Sequence, residues 1–302
     1  MHTLQAIQSG SLAAQAVKLY ENSILGHVIV AFPNSFYVKT LDNQLLFITN
    51  RSLHSPITIN VAGATNFTYL LEPTEPVYLR QARLSSSRLS IEFTDVGKEK
   101  KKILLEKIES PHYLKLLEDS ALMSTILNVI ENTGSVLDPK QHMIHDPICD
   151  FINYGVIPLR VKWSPSNFAK AAENIVGLGL GFTPSGDDFL LGFLVIYNSL
   201  SPAIGRPPIH LEFDQVAKRT NWISAKLLDY AQHLQIDDQL LHLVQSTSST
   251  LDTVTALETL IPRGHTSGID IVVGAVLGLS IVCDIALGQS DTESVAAKLG
   301  FQ

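Results

Sequence analysis

From Ile271 to Cys283 the chain runs thirteen residues without a charge, closed on either side by Asp270 and Asp284. Such a segment must leave water, yet it is shorter than the roughly 20 residues a membrane-spanning helix needs. A helix enclosed by protein is therefore expected, and no membrane partner. The run is entered through RGHTSGIDIVVG, residues Arg263 to Gly274. A second apolar run is entered in the same way, through GLGLGFTPSGDDFLLG, residues Gly177 to Gly192. Ser185, Gly186, Asp188 and Gly192 match Ser267, Gly268, Asp270 and Gly274 at one constant offset, since 268 − 186 = 82 and 274 − 192 = 82.

The shared pattern S-G-x-D-x-x-x-G has a physical reading. Serine is expected to cap each helix, and the glycine after it to let something approach closely. Asp in the first turn suits the positive end of the helix dipole. The later glycine lies on the same face as Asp and permits close packing. Two buried helices with equivalent N-termini are expected to face one another, with Gly186 and Gly268 on opposite sides of one pocket. Hydroxyls, backbone donors and carboxylates would line it, a setting for a small anion, a divalent ion, or both.

The glycines exclude two nucleotide sites. G-x-G-x-G is not the dinucleotide fingerprint G-x-G-x-x-G, and no clear strand precedes it. Gly181 and Gly186 have P-loop spacing, but Asp187 and Asp188 stand where Lys and Ser or Thr belong, so no nucleotide cofactor is expected. An anion at this mouth would be repelled by Asp187, Asp188 and Asp270 unless a cation intervenes. Arg263 and Mg²⁺ are the cations the sequence offers, with the three aspartates as candidate metal ligands. The candidate catalytic residues are Asp187, Asp188, His265 and Asp270. The candidate substrate-binding residues are Gly181, Thr183, Ser185, Gly186, Arg263, Thr266, Ser267 and Gly268. His142, His145, Asp146 and Cys149 have metal-like spacing but lack a second half. Asn174 could orient the glycine loop, and Asp237, Asp238 and Glu258 read as solvated helix residues.

The rest of the chain bounds the class. Hydrophobic residues make up 45% and charged residues 17% of 302, enough for a large core. The net charge of −7, without a large basic patch, argues against nucleic acid. Cys149 and Cys283 fit no disulfide framework or metal motif, and Met1 to Leu19 lacks the pattern of a signal peptide. A cytoplasmic protein is expected. Residues 1–96 read as a β-rich domain, a small barrel or sandwich, with strands at Ile24–Phe32, Phe36–Thr40, Leu45–Thr49 and Pro56–Val61. A further hairpin joins Val77–Leu84 to Arg88–Phe93. The apolar period changes near Lys100, so 97–302 read as a mainly helical domain carrying both motifs, with the boundary within Thr94–Lys98. The expected fold class is α+β, with two buried central helices.

Both motifs, as GLGLGFTPSGDDFLLGFL and RGHTSGIDIVVGAVLGL, closely resemble the signatures of the subunit family of the oxamate carbamoyltransferase of anaerobic allantoin degradation. The resemblance extends more faintly to Gly26-His27-Val28 and to Leu45–Ile59, and it matches nothing from about Lys98 to Asn167. It implies carbamoyl transfer between oxalurate and phosphate, giving oxamate and carbamoyl phosphate, in a complex of several different subunits. It assigns no residue roles. Two other readings stay open: a non-catalytic assembly subunit, and a stand-alone divalent-metal-dependent hydrolase or transferase.

Overall fold

A computed structural model describes residues 1–63, 65–93, 97–98, 142–160, 162, 164–246, 250–288, 292–299 and 301. The helices expected between Lys100 and residue 141 lie outside the described residues. The chain divides into two compact units, Met1–Ile103 and Leu104–Gln302.

In the first unit, alternation dictates strands. Ser35–Thr40 (β3) buries every second residue, placing Phe36 and Val38 inside. With His2–Ser9 (β1), Ser23–Phe32 (β2), Leu45–Thr49 (β4), Thr58–Ala62 (β5), Pro76–Arg80 (β6), Arg83–Ser85 (β7) and Leu89–Glu92 (β8) it forms a sheet ordered β5-β4-β3-β2-β6-β7-β8-β1. An antiparallel β1–β5 ladder closes that sheet into an eight-stranded barrel. A short strand, Gly97–Lys98 (β9), adds to β1 in parallel. The helix Ser11–Leu19 (α1) contributes Ala13 and Ala16 to a core with Leu25, Val28, Ile48 and Phe67. The barrel is thus the form the β-rich domain takes.

Two features depart from the expected strands. β1 carries small or polar residues at most positions, and only Leu4, Ala6 and Ser9 are buried, so its period is muted. Val77–Leu84 is interrupted because Gln81 and Ala82 adopt φ of 49° and 53°, a two-residue turn made without Gly, Asn or Asp.

The second unit is helical. Its elements are His142–Phe151 (α2), Pro165–Ala172 (α3), Ser185–Leu200 (α4), Phe213–Val216 (α5), Trp222–Gln232 (α6), Asp238–Ser246 (α7), Thr250–Leu260 (α8), Ser267–Leu287 (α9) and Thr292–Lys298 (α10). All sixteen residues of α4 are buried. The apolar helix proves longer than its uncharged run: α9 has 21 residues, long and apolar enough to cross a membrane by length and composition. Yet 89% of its most apolar window is buried within the protein, as in a core helix.

α4 and α9 lie side by side and run in the same direction. A Cβ at Gly192 would meet Ile271 O at 2.0 Å and Ala275 N at 3.0 Å. A Cβ at Gly274 would meet Phe189 O at 1.9 Å and Phe193 N at 3.0 Å. These contacts are reciprocal at the offset of the motifs, since 271 − 189 = 82 and 275 − 193 = 82. The pair is therefore quasi-two-fold, and it brings the two N-termini to one end. Only glycine at the crossing lets the backbones come this close.

Candidate functional site

The expected meeting of the two turns is present, through side chains at the helix ends. Thr183 Oγ1 and Ser267 Oγ are 3.1 Å apart, although 84 positions separate them. Both hydroxyls hydrogen-bond Asp188, which also feels the charges of Asp270 and Arg263. Asp188 and Asp270 are 3% and 0% exposed. Asp188 Oδ2 is buried without a hydrogen-bond partner. Burial outweighs the hydroxyls and Arg263 and pushes this carboxyl up to about 8, with Asp270 adding to the rise. At neutral pH Asp188 is mostly a neutral acid.

Asp187 is turned elsewhere. Its Oδ1 accepts Gly177 N–H at 2.8 Å, and its Oδ2 accepts the hydroxyls of Ser224, at 2.6 Å, and Thr220. Burial raises this carboxyl too, against those three donors. It thus fastens the start of the glycine loop to α6, while Asn221 Nδ2 fastens the end through Phe182 O at 2.9 Å. Between these anchors Leu180 is 94% exposed, and Gly177, Gly179 and Gly181 take φ of 80°, 107° and 98°. Asn174, the expected loop orienter, is exposed. Thr220, Asn221 and Ser224 do that work, and Asn221 caps α6 by accepting Ser224 N–H. The signal for them was in the sequence: Asn221 precedes an apolar helix, an ordinary N-cap position. Asp187→Ala would strand three donors, Ser224 buried and Gly177 and Thr220 part-buried, so a loss of about 2–3 kcal/mol is expected in urea unfolding.

The serines do not cap. Ser185 and Ser267 are the first helical residues; Pro184 and Thr266 hold the cap positions, neither with a side-chain cap bond. The close approach expected at Gly186 and Gly268 is to the protein's own backbone. A Cβ there would meet Ile175 O at 1.9 Å and Leu260 O at 2.1 Å. The first-turn N–H groups are also engaged: Gly186 with Leu178 O, Asp187 and Asp188 with Pro184 O, Gly268 with Arg263 O, and Asp270 with Thr266 O. The polar surface of the mouth is therefore made by side chains more than by backbone. Gly181 and His265 are exposed, and Ser185 is buried.

Arg263 Nη1 pairs with Asp237 Oδ2 at 2.6 Å. Asp237 is not the solvated residue expected; it is buried and its Oδ1 accepts Leu240 N–H at 3.0 Å. An Asp just ahead of an apolar helix is again the legible N-cap signal. Glu258 is exposed as expected. Among the described residues, no group of three or more His, Cys, Asp and Glu side chains is arranged to hold a metal ion. Asp187 stands apart from any pairing of Asp188 with Asp270. In α2, Asp146 is exposed and Cys149 buried, so the two do not share an environment.

Fold and site define a class: an α+β protein of two units, a closed barrel and a helical unit built on a parallel helix pair with buried carboxyls at its mouth. Residues 175–279 match the family model described as oxamate carbamoyltransferase subunit AllH. That is the family both motifs resemble, and the match spans both turns. Its description as a subunit implies further subunits in the complex. No solved structure matches the chain.

Proposed function

We propose that the chain serves as a subunit of an oxamate carbamoyltransferase and that the mouth of the helix pair receives a small anion of that reaction. Oxalurate and phosphate would give oxamate and carbamoyl phosphate, so every ligand carries a carboxylate, a phosphate or a carbamoyl group. The observation that carries the reading is the Thr183–Ser267 contact over Asp188, which joins both family motifs at one polar point. The objection from charge weakens because Asp188 is mostly neutral at pH 7 and a neutral acid does not repel an anion. Arg263 supplies the cation. Mg²⁺, if the reaction uses it, would enter with phosphate, since no group of three or more His, Cys, Asp and Glu side chains among the described residues is arranged to hold it. Other subunits of the complex are the expected partners, in the cytoplasm, without nucleic acid or membrane.

A second reading has a specific observation behind it. The motif glycines Gly186, Gly192, Gly268 and Gly274 are all accounted for by backbone packing, as in a non-catalytic assembly subunit. Co-purification with partner subunits, followed by an assay of phosphate-dependent oxalurate cleavage, separates the two. Arg263→Ala is expected to weaken phosphate binding at least tenfold, about the worth of one charge-assisted hydrogen bond. A complex that assembles and turns over normally with Arg263→Ala would leave the assembly reading standing.

A further inference from the structure

The cation of the proposed site is held by a residue outside both motifs. Asp237 lies 26 positions before Arg263, just ahead of α7, and uses both its oxygens. Oδ1 takes the N–H of Leu240, tying the carboxylate to the N-terminus of α7. Oδ2 takes Arg263 Nη1 in an ion pair whose side chains are 7% and 29% exposed. Asp237 is thus fixed in place by α7, and the guanidinium, planar and forked, is oriented by it. Arg263 in turn acts on Asp188, the acid that receives the Thr183 and Ser267 hydroxyls.

We propose that Asp237 is the positioning residue of the anion site: it presets the guanidinium of Arg263 for a phosphate- or carboxylate-bearing ligand. This rests on the reading that Arg263 receives the anion. Without Asp237 the long Arg263 side chain must be ordered by the ligand itself. Ordering one such side chain weakens affinity roughly three- to tenfold.

The test uses the purified full chain and inorganic phosphate, titrated calorimetrically at low temperature with folding checked by circular dichroism. Asp237→Asn keeps an oxygen for Leu240 N–H, so a three- to tenfold weaker phosphate affinity with little change in melting temperature is expected. A structural role alone would not produce the second signature. Millimolar guanidinium should restore phosphate binding to Arg263→Ala, and should fail to restore it to the Arg263→Ala/Asp237→Asn double variant. Equal rescue in both, or unchanged affinity in Asp237→Asn while Arg263→Ala binds poorly, overturns the positioning role and leaves the anion site intact. No phosphate binding by the native chain, or no effect of Arg263→Ala, overturns the site and the inference with it. If Asp237→Asn does not fold, Arg263→Lys decides: it keeps the charge but removes the fork, and native-like phosphate affinity would overturn the proposal.

Discussion

Gly274→Ala is expected to unfold the helical unit or leave it only marginally stable. The added Cβ would stand 1.9 Å from Phe189 O and 2.8 Å from its carbonyl carbon, both backbone atoms of the facing helix. No rotamer change relieves such a clash; α4 and α9 would have to separate along a fully buried contact. Overpacking a core by one methylene costs about 1–3 kcal/mol when side chains can yield. Here only backbone can yield, so about 3 kcal/mol or more is expected, a large part of a domain's total stability. Gly192→Ala should behave alike, because its Cβ meets Ile271 O at 2.0 Å in the reciprocal position. Gly181→Ala gives the contrast. Nothing lies within 4 Å of its Cβ, and only the φ of 98° opposes the change, a backbone cost of about 1–2 kcal/mol. Urea midpoints followed by tryptophan fluorescence would rank the three, since Trp163 and Trp222 both fall within residues 104–302. A Gly274→Ala midpoint equal to that of Gly181→Ala would refute the reciprocal helix crossing.

That crossing also explains what could be read from the sequence. The constant offset of 82 between the motifs was legible, and it corresponds to a real quasi-two-fold pair. Glycine has two physical uses, however: to admit a ligand and to admit another backbone. The sequence pattern is the same for both. At 186, 192, 268 and 274 the second use holds, and only distances to Ile175 O, Ile271 O, Leu260 O and Phe189 O could reveal it. The aspartates show a similar limit. Asp187 and Asp188 are adjacent in sequence, so they leave the helix about 100° apart. One serves the glycine loop and the other the helix mouth. Asp237 had a legible N-cap position, but its pairing with Arg263 was hidden, since Arg263 lies 26 positions on, in the turn between α8 and α9. The β-rich class was legible from short segments rich in Val, Ile, Phe and Thr, whereas closure into a barrel rather than a sandwich was not, because closure depends on β1, where Leu4 and Ala6 are the only buried apolar residues.

Asp188→Asn is expected to flatten the helical unit's response to alkali. In the unfolded chain this carboxyl titrates near its ordinary 3.8; in the folded chain burial, with Asp270 nearby, moves it up to about 8. Between those values the folded state holds a proton that the unfolded state has lost. The group's contribution to stability is therefore complete below about pH 4 and is lost as the pH rises through about 8. The shift corresponds to a few kcal/mol, reduced by whatever water enters when the acid ionises. Asparagine keeps an oxygen for the Thr183 and Ser267 hydroxyls and cannot ionise. The variant should match the native chain near pH 4 and exceed it in urea midpoint at pH 9. Asp187, raised in the same direction, will leave some residual slope. Glu75 in the barrel does not intrude: despite partial burial, the Ser86 and Ser87 hydrogen bonds hold it down to about 2, so its contribution is lost only at lower pH. The same variant bears on the anion. If Asp188 is neutral at pH 7, Asp188→Asn should leave phosphate affinity in metal-free buffer nearly unchanged. A flat native stability profile between pH 4 and 8, together with tighter phosphate binding in Asp188→Asn, would mean that the acid is ionised. The site would then need a cation beyond Arg263, and Mg²⁺ dependence should disappear in the variant.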